Sequence, residues 1–323
     1  MKDQHPDEFE WIASLEPLTR GDPRALALKD DAAVVPARPD FDLVVSTDAM
    51  VEGVHFLAGE EPGLIAQRLL RAALSDLAAK AAEPFGFLLT TAWPPDRDRR
   101  WRAAFAAGLA ADGERFGVAL LGGDTVSTPG PLTLDAAVYG WVPAGTAVLR
   151  SGARAGDRLI VCGAIGDGVL GLRAARGEIT GPTEELAKRY RLPEPLFLLT
   201  PLLREKARAA ADVSDGLLAD AAHIAEASGL AVTIELEALP LSEGARCWLE
   251  DQPDRAAALG DLAGGGDDYA IACAVDPAEA DAFVRAASKV VRTAEVGVFE
   301  AGAGVCATVS GAAVSPERLG WRN

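Results

Sequence analysis

Apolar runs in this chain repeatedly meet a small residue beside an aspartate, and that punctuation constrains the fold more than any other feature. The run 41–46 is Val-rich and strand-like, and it leads into Thr47-Asp48. The run 118–121 stops at Gly122-Gly123-Asp124, and the run 269–275 follows Gly264-Gly265-Gly266-Asp267-Asp268. Segments 132–142, 159–162 and 232–236 read as further strands. Helical stretches lie between them: 64–82 without Gly or Pro, about 98–115, and 213–227. Ser214 and Asp215 are suited to cap the last of these, and Gly229 to close it. Strands mixed with helices give an α/β or α+β class, and pattern alone does not choose between them.

The 323 residues suggest two domains at about 150 residues each. The boundary is expected where the chain turns through Arg150-Ser151-Gly152-Ala153-Arg154-Ala155-Gly156-Asp157, giving domains 1–150 and 151–323. Charge decides the partner class. With 48 acidic against 31 basic side chains the net charge is −17, which argues against nucleic acid or an anionic membrane as partner. An anionic substrate would need divalent cations beside it. No apolar run reaches the roughly 18 residues of a membrane span, and the first residues lack a signal-peptide stretch. Cys162, Cys247, Cys273 and Cys306 are far apart, form no C-x-x-C pair and read as small core residues, so a cytoplasmic protein is expected.

Asp30-Asp31, Asp48, Asp124, Asp212, Asp215 and Asp267-Asp268 sit at expected strand ends or helix starts, where α/β proteins place ligand sites. Aspartate is also a common turn and cap residue, which accounts for any one of them alone. Asp76 is more telling. On the 64–82 wheel it falls at the margin of the apolar arc of Leu69, Leu70, Ala73, Leu74 and Leu77, with Arg68, Arg71 and Ser75 on the polar side. A carboxylate there needs a partner. Lys80, one turn on, offers an ordinary ion pair, and a cation offers the other solution. Several aspartates together suit Mg²⁺ with a polyphosphate, the arrangement of phosphoryl transfer. The histidines, His55 and His223 among them, lack ligand spacing to one another, which disfavours a transition metal. A P-loop and a G-x-S-x-G elbow are absent. Gly166, Gly168 and Gly171 fit G-x-G-x-x-G after a strand, so a dinucleotide loop is a weak alternative.

Six segments carry a resemblance. Lys29-Asp30-Asp31, Ser46-Thr47-Asp48-Ala49-Met50-Val51-Glu52-Gly53-Val54-His55-Phe56, Leu74-Ser75-Asp76-Leu77, Gly122-Gly123-Asp124-Thr125, Asp212-Val213-Ser214-Asp215-Gly216-Leu217 and Gly265-Gly266-Asp267-Asp268-Tyr269 stand in order along nearly the whole chain. In this the sequence resembles the thiamine-monophosphate kinase family, within the aminoimidazole ribonucleotide synthetase superfamily. The resemblance implies a two-domain fold in which N-terminal strands of two subunits pair into one barrel and an α/β C-terminal domain follows. It implies a homodimer that uses ATP to phosphorylate thiamine monophosphate to thiamine diphosphate, with several Mg²⁺ ions.

Residue by residue, the resemblance makes Asp31, Ser46, Thr47, Asp48, Asp76, Asp124, Asp212 and Asp215 metal ligands. It gives Gly123, Asp124, Arg150 and Ser214 to the nucleotide, and His55, Asp267 and Trp321 to the substrate. No general base is implied. Lys29 stands where the family has Gly, Ala73 where it has Asn, and Asp267 where it has Glu. Two other readings compete: a superfamily enzyme acting on another small acceptor, and a non-catalytic metal-binding dimer. The second would show an EF-hand loop or acidic repeats, and the sequence has neither.

Overall fold

The computed structural model describes residues 8–181 and 183–321. They divide into two units: residues 8–77 with Ala82–Gly145, and Ala78–Ala81 with residues 146–321. In the first unit the elements are α1 (Glu8–Ser14), β1 (Phe41–Val51), α2 (Pro62–Ala79), β2 (Glu83–Trp93), α3 (Arg99–Phe116), β3 (Ala119–Ser127) and β4 (Thr133–Pro143). The strands form one sheet in the order β1-β4-β2-β3, antiparallel except for the parallel pair β2-β3.

Strand β4 alternates without a break. Leu134, Ala136, Val138 and Val142 are buried, and the odd-numbered residues between them are half-buried. The even face lies on α2: a Cβ at Gly140 would stand 3.3 Å from Leu77. The odd face is the open one. Helix α2 is buried nearly all round, which corrects the expectation of a polar side at Arg68, Arg71 and Ser75. The reason is α3, which crosses so closely that a Cβ at Gly108 would run into the Gly63 backbone. Arg71 meets Asp112 of α3 through two bonds, Nε at 2.6 Å and Nη2 at 2.8 Å, and Gln67 donates to the same carboxylate at 2.9 Å.

Strand ends differ from the expectation in a way that matters for the site. β1 runs on through Thr47 and Asp48 to Val51, and β3 runs on through Gly122, Gly123 and Asp124 to Ser127. These polar residues are therefore strand positions and not turns. Each continues to pair with its neighbour, Asp48 with Ala136 and Asp124 with Thr90. Helix α2 ends at Ala79, short of residue 82, where Ala81 adopts a positive φ of 56°.

The second unit comprises β5 (Arg158–Cys162), α4 (Asp167–Ala175), α5 (Thr183–Arg191), α6 (Thr200–Lys206), β6 (Ala207–Val213), α7 (Leu217–Ser228), β7 (Leu230–Glu235), α8 (Glu243–Glu250), α9 (Arg255–Ala263), β8 (Ala270–Val275), α10 (Ala280–Ala287), β9 (Thr293–Ala301), β10 (Gly304–Val309) and β11 (Ala312–Val314). Its mixed sheet runs β11-β10-β7-β9-β5-β8-β6, with β7-β10 parallel and the other pairs antiparallel. Leu159 and Val161 face one apolar cluster while Ile160 and Cys162 face another. Burial on both faces is why the central strands read as continuous apolar runs.

Two expectations fail here. The helix expected from residue 213 starts at Leu217, because Val213 is the last residue of β6 and Ser214-Asp215-Gly216 is the turn between them. Cys162 and Cys273 are buried, but Cys247 and Cys306 are exposed; alternation in β10 turns Cys306 outward and Ala307 inward.

Candidate active site

Strand β1 carries three expected ligands in a row, and its two-residue period divides them between its faces. Ser46 turns to the helix side and donates to the Asp76 carboxylate of α2 at 2.5 Å. Thr47 turns to the open side and donates to Asp135 of β4 at 2.7 Å. Asp48 has the parity of Ser46 and is half-buried. Asp76 is half-buried too, as its place on the wheel required. Lys80, beyond the helix end, donates to the Ala210 carbonyl at 2.6 Å.

A cavity of about 680 Å³ lies against β2 and β3, and Asp30, Asp31, Thr90, Gly123, Asp124 and Tyr139 are among its walls. Asp31 enters after three non-glycine residues with positive φ, Leu26, Ala27 and Leu28 at 49°, 54° and 55°, a strained path of the kind kept at functional sites. Gly123 has to be glycine, since a Cβ there would collide with the Leu89 carbonyl of β2. Bare backbone is thus presented beside the Asp124 carboxylate. His55 follows β1, and its Nδ1 accepts the Val51 N–H at 3.1 Å. With Nδ1 accepting, the ring nitrogen left to donate is Nε2.

In the second unit Asp212 is buried at the end of β6. The turn after it is held by Asp220 of α7, whose Oδ2 accepts the N–H groups of Ser214, Asp215 and Gly216 at 3.1, 3.2 and 3.1 Å. Burial above all, with Asp215 adding to it, raises the Asp220 pKa to about 7 against the Gly216 N–H and the Arg150 charge. Arg150 is exposed and its field reaches this turn. The glycine loop packs against the same turn. Asp267 N–H donates to Ser214 O and Tyr269 N–H to Val213 O, both at 2.8 Å. Asp267 has φ 61°, and its carboxylate accepts from the Tyr269 hydroxyl at 3.2 Å. Trp321 N–H donates to Asp215 O at 2.9 Å, with half of the residue exposed. Ser214, Asp215, Asp267 and Trp321 are therefore brought together.

Two carboxylates brace these loops: Asp220, which sequence reasoning missed, and Asp268, which it singled out among the strand-end acids but not as a brace. Asp268 accepts the Gly166 and Gly168 N–H groups at 2.9 Å each, and its burial pushes its pKa well up. This also disposes of the dinucleotide loop. The amides that would bind phosphate are already taken, and β5 pairs antiparallel on both sides, so no βαβ unit exists around it. His223 was missed as well. Among the described residues, ligand atoms of Asp215, Asp220 and His223 lie within 4.8 Å of one another. The signal lay in the helical i, i+3 spacing of Asp220 and His223.

These two mixed-sheet units correspond to the two domains of one protein class, the AIR synthase related proteins. The chain matches the AIR synthase related protein N-terminal domain over residues 29–142 and the C-terminal domain over residues 154–310. The thiamine-monophosphate kinase of Caulobacter vibrioides is 56% identical over 318 residues, 98% of this chain and 90% of that protein. Among solved structures, the thiamine-monophosphate kinase from Stenotrophomonas maltophilia K279a has a TM-score of 0.83 at 33% identity, covering 95% of this chain and 98% of its own. A complex of AaThiL with AMPPCP and TMP has a TM-score of 0.77 at 26% identity, covering 97% and 96%. The chain belongs to the thiamine-monophosphate kinase family.

Proposed function

We propose that this chain transfers the γ-phosphoryl group of ATP to the phosphate of thiamine monophosphate, forming thiamine diphosphate and ADP. The observation that carries the reading is the 56% identity to a thiamine-monophosphate kinase across 98% of the chain. The local geometry supports it, since Asp31, Gly123 and Asp124 share one cavity. The AaThiL complex with AMPPCP and TMP makes a nucleotide and a thiamine phosphate the natural pair of ligands.

The expected metal ligands offer only oxygen, which suits a hard cation such as Mg²⁺. Asp31, Ser46, Thr47, Asp48, Asp76 and Asp124 of the first unit, and Asp212 and Asp215 of the second, are the residues that would hold several such ions. Bound Mg²⁺ supplies charge neutralisation across the polyphosphate. Gly123 offers an approach without a side chain and Ser214 a hydroxyl to the nucleotide, and Arg150 offers a planar fork for a phosphate. His55 Nε2–H is a donor for the substrate. Asp267 offers a carboxylate and Trp321 an exposed ring to the cationic thiazolium and flat pyrimidine.

An acceptor phosphate has a second pKa of about 6, so its oxygen attacks already ionised and needs no general base. The new bond joins that oxygen to the γ-phosphorus as the bond to the β–γ bridging oxygen breaks, and ADP leaves. Positioning is then the chain's whole contribution. A homodimer completes the reading: among the described residues β1 ends the sheet, and that edge suits the same strand system of a second copy. The reaction belongs in the cytoplasm, where ATP is supplied. With Mg²⁺-ATP and thiamine monophosphate, the purified protein should form product detectable as fluorescent thiochrome. Asp48→Ala should lower the rate by at least about a hundredfold, as loss of electrostatic stabilisation does. Unchanged turnover in that variant or in EDTA would remove the metal from the reading.

A further inference from the structure

Asp135 belongs to none of the segments that carry the family resemblance, yet the sheet places it among the expected ligands. In register it faces Ala49 of β1 on one side and Thr90 of β2 on the other. Thr90 in turn faces Asp124 of β3. Residues directly opposite each other across a sheet share a face. Asp135, Thr90 and Asp124 therefore form one cross-strand row on the open face, with the two carboxylates two strands, or roughly 10 Å, apart. Thr90 and Asp124 line the 680 Å³ cavity, and so does Tyr139, which has the same parity as Asp135 on β4. Burial and the Asp135 charge together hold the Tyr139 phenol above its ordinary pKa, so the field of Asp135 reaches that wall. The direct contact is the 2.7 Å bond from Thr47.

We propose that Asp135 is a positioning residue for phosphoryl transfer, accepting the hydrogen bond of the Thr47 hydroxyl so that the Thr47 oxygen presents its lone pairs to a divalent cation. The inference rests on the metal role proposed for Thr47. A hydroxyl has one proton and two lone pairs. With the O–H directed at Asp135, the oxygen can only accept or coordinate on its other sides, and the nearby carboxylate makes it a better ligand for a cation. Carboxylates that orient a metal ligand in this way typically contribute 10–100-fold in metal affinity. The strand pairing fixes the geometry before any cation arrives.

The test is a double-mutant cycle on the full chain, read by Mn²⁺ binding in the presence of AMPPCP, using calorimetry and the free-Mn²⁺ resonance signal. Asp135→Asn should weaken Mn²⁺ about tenfold while leaving the circular dichroism spectrum unchanged. Thr47→Val should weaken it to a similar extent, and the double variant should be no worse than the weaker single one, because both remove one unit. Asp135→Ser offers a smaller side chain should the Asn variant fail to fold, with the same expected loss. Affinity unchanged in the Asp135 variants, or additive losses in the double variant, would overturn the positioning role. The phosphorylation of thiamine monophosphate is scored separately on the unmutated chain by thiochrome formation. A failed acceptor assignment is thus distinguishable from a failed role for Asp135.

Discussion

Asp112 shows what a single residue can decide in this chain. Its carboxylate is 1% exposed and the Arg71 guanidinium 5%, and the two meet through paired bonds between α2 and α3. A buried pair contributes little net stability as a pair, but removing one partner strands the other charge in the interior. Asp112→Ala should therefore cost about 3–5 kcal/mol, read as a lower urea midpoint with an unchanged slope. The wheel could not show this, since it placed Arg71 correctly off the apolar arc and then assigned that side to water. Burial of a polar face depends on a second helix, which the pattern of the first does not record. Asp76 was legible for the opposite reason: a carboxylate at the margin of an apolar arc needs a partner, and Ser46 is one.

At the scale of elements, the turn between β6 and α7 stores an electrostatic cost that pH should expose. Asp220 caps this turn with one oxygen while buried, and its pKa rises from 3.8 to about 7. Between those values the folded chain holds a proton that the unfolded chain has lost. Stability from this group is therefore full below about pH 4, falls as pH rises through the window to about 7, and is flat above it. Asp220→Asn keeps an acceptor for the three N–H groups and cannot ionise. Relative to the unmutated chain, it should gain stability by a few kcal/mol, to order of magnitude, between pH 5 and pH 8. Urea titrations at the two pH values, in EDTA, measure the difference; an equal difference at both would show that Asp220 is not a proton store. Sequence gave Ser214 and Asp215 as the caps, because cap chemistry is read from residues just before a helix. The cap that forms comes from inside α7, four residues beyond Gly216, where no local rule looks. Strand pairing hid the ends of β1 and β3 similarly, since Thr47, Asp48, Gly123 and Asp124 are polar yet stay in register with their neighbours.

For the whole molecule, the class was legible from alternating runs, while the sheet orders were not, because pairing partners such as β1 with β4 and β7 with β10 lie far apart in sequence. The site residues came from resemblance, and their physical sense from the fold. One feature of the first sheet belongs only to this scale. β1 is eleven residues long, lies at the end of the sheet order and has no second strand partner among the described residues. Leu43 and Val45 on its open face are 47% and 53% exposed. A long apolar edge strand invites pairing with another chain unless something covers it. A second copy of the same edge is the self-complementary solution that a two-fold dimer provides. The unmutated chain should therefore sediment at twice its 33.6 kDa mass. Leu43→Lys with Val45→Lys, which adds like charges on facing copies of one strand, should shift the population to a single chain at micromolar concentration with the fold retained. A monomer in the unmutated protein would show that β1 is covered by something other than its own copy, and a dimer surviving both lysines would place the interface elsewhere.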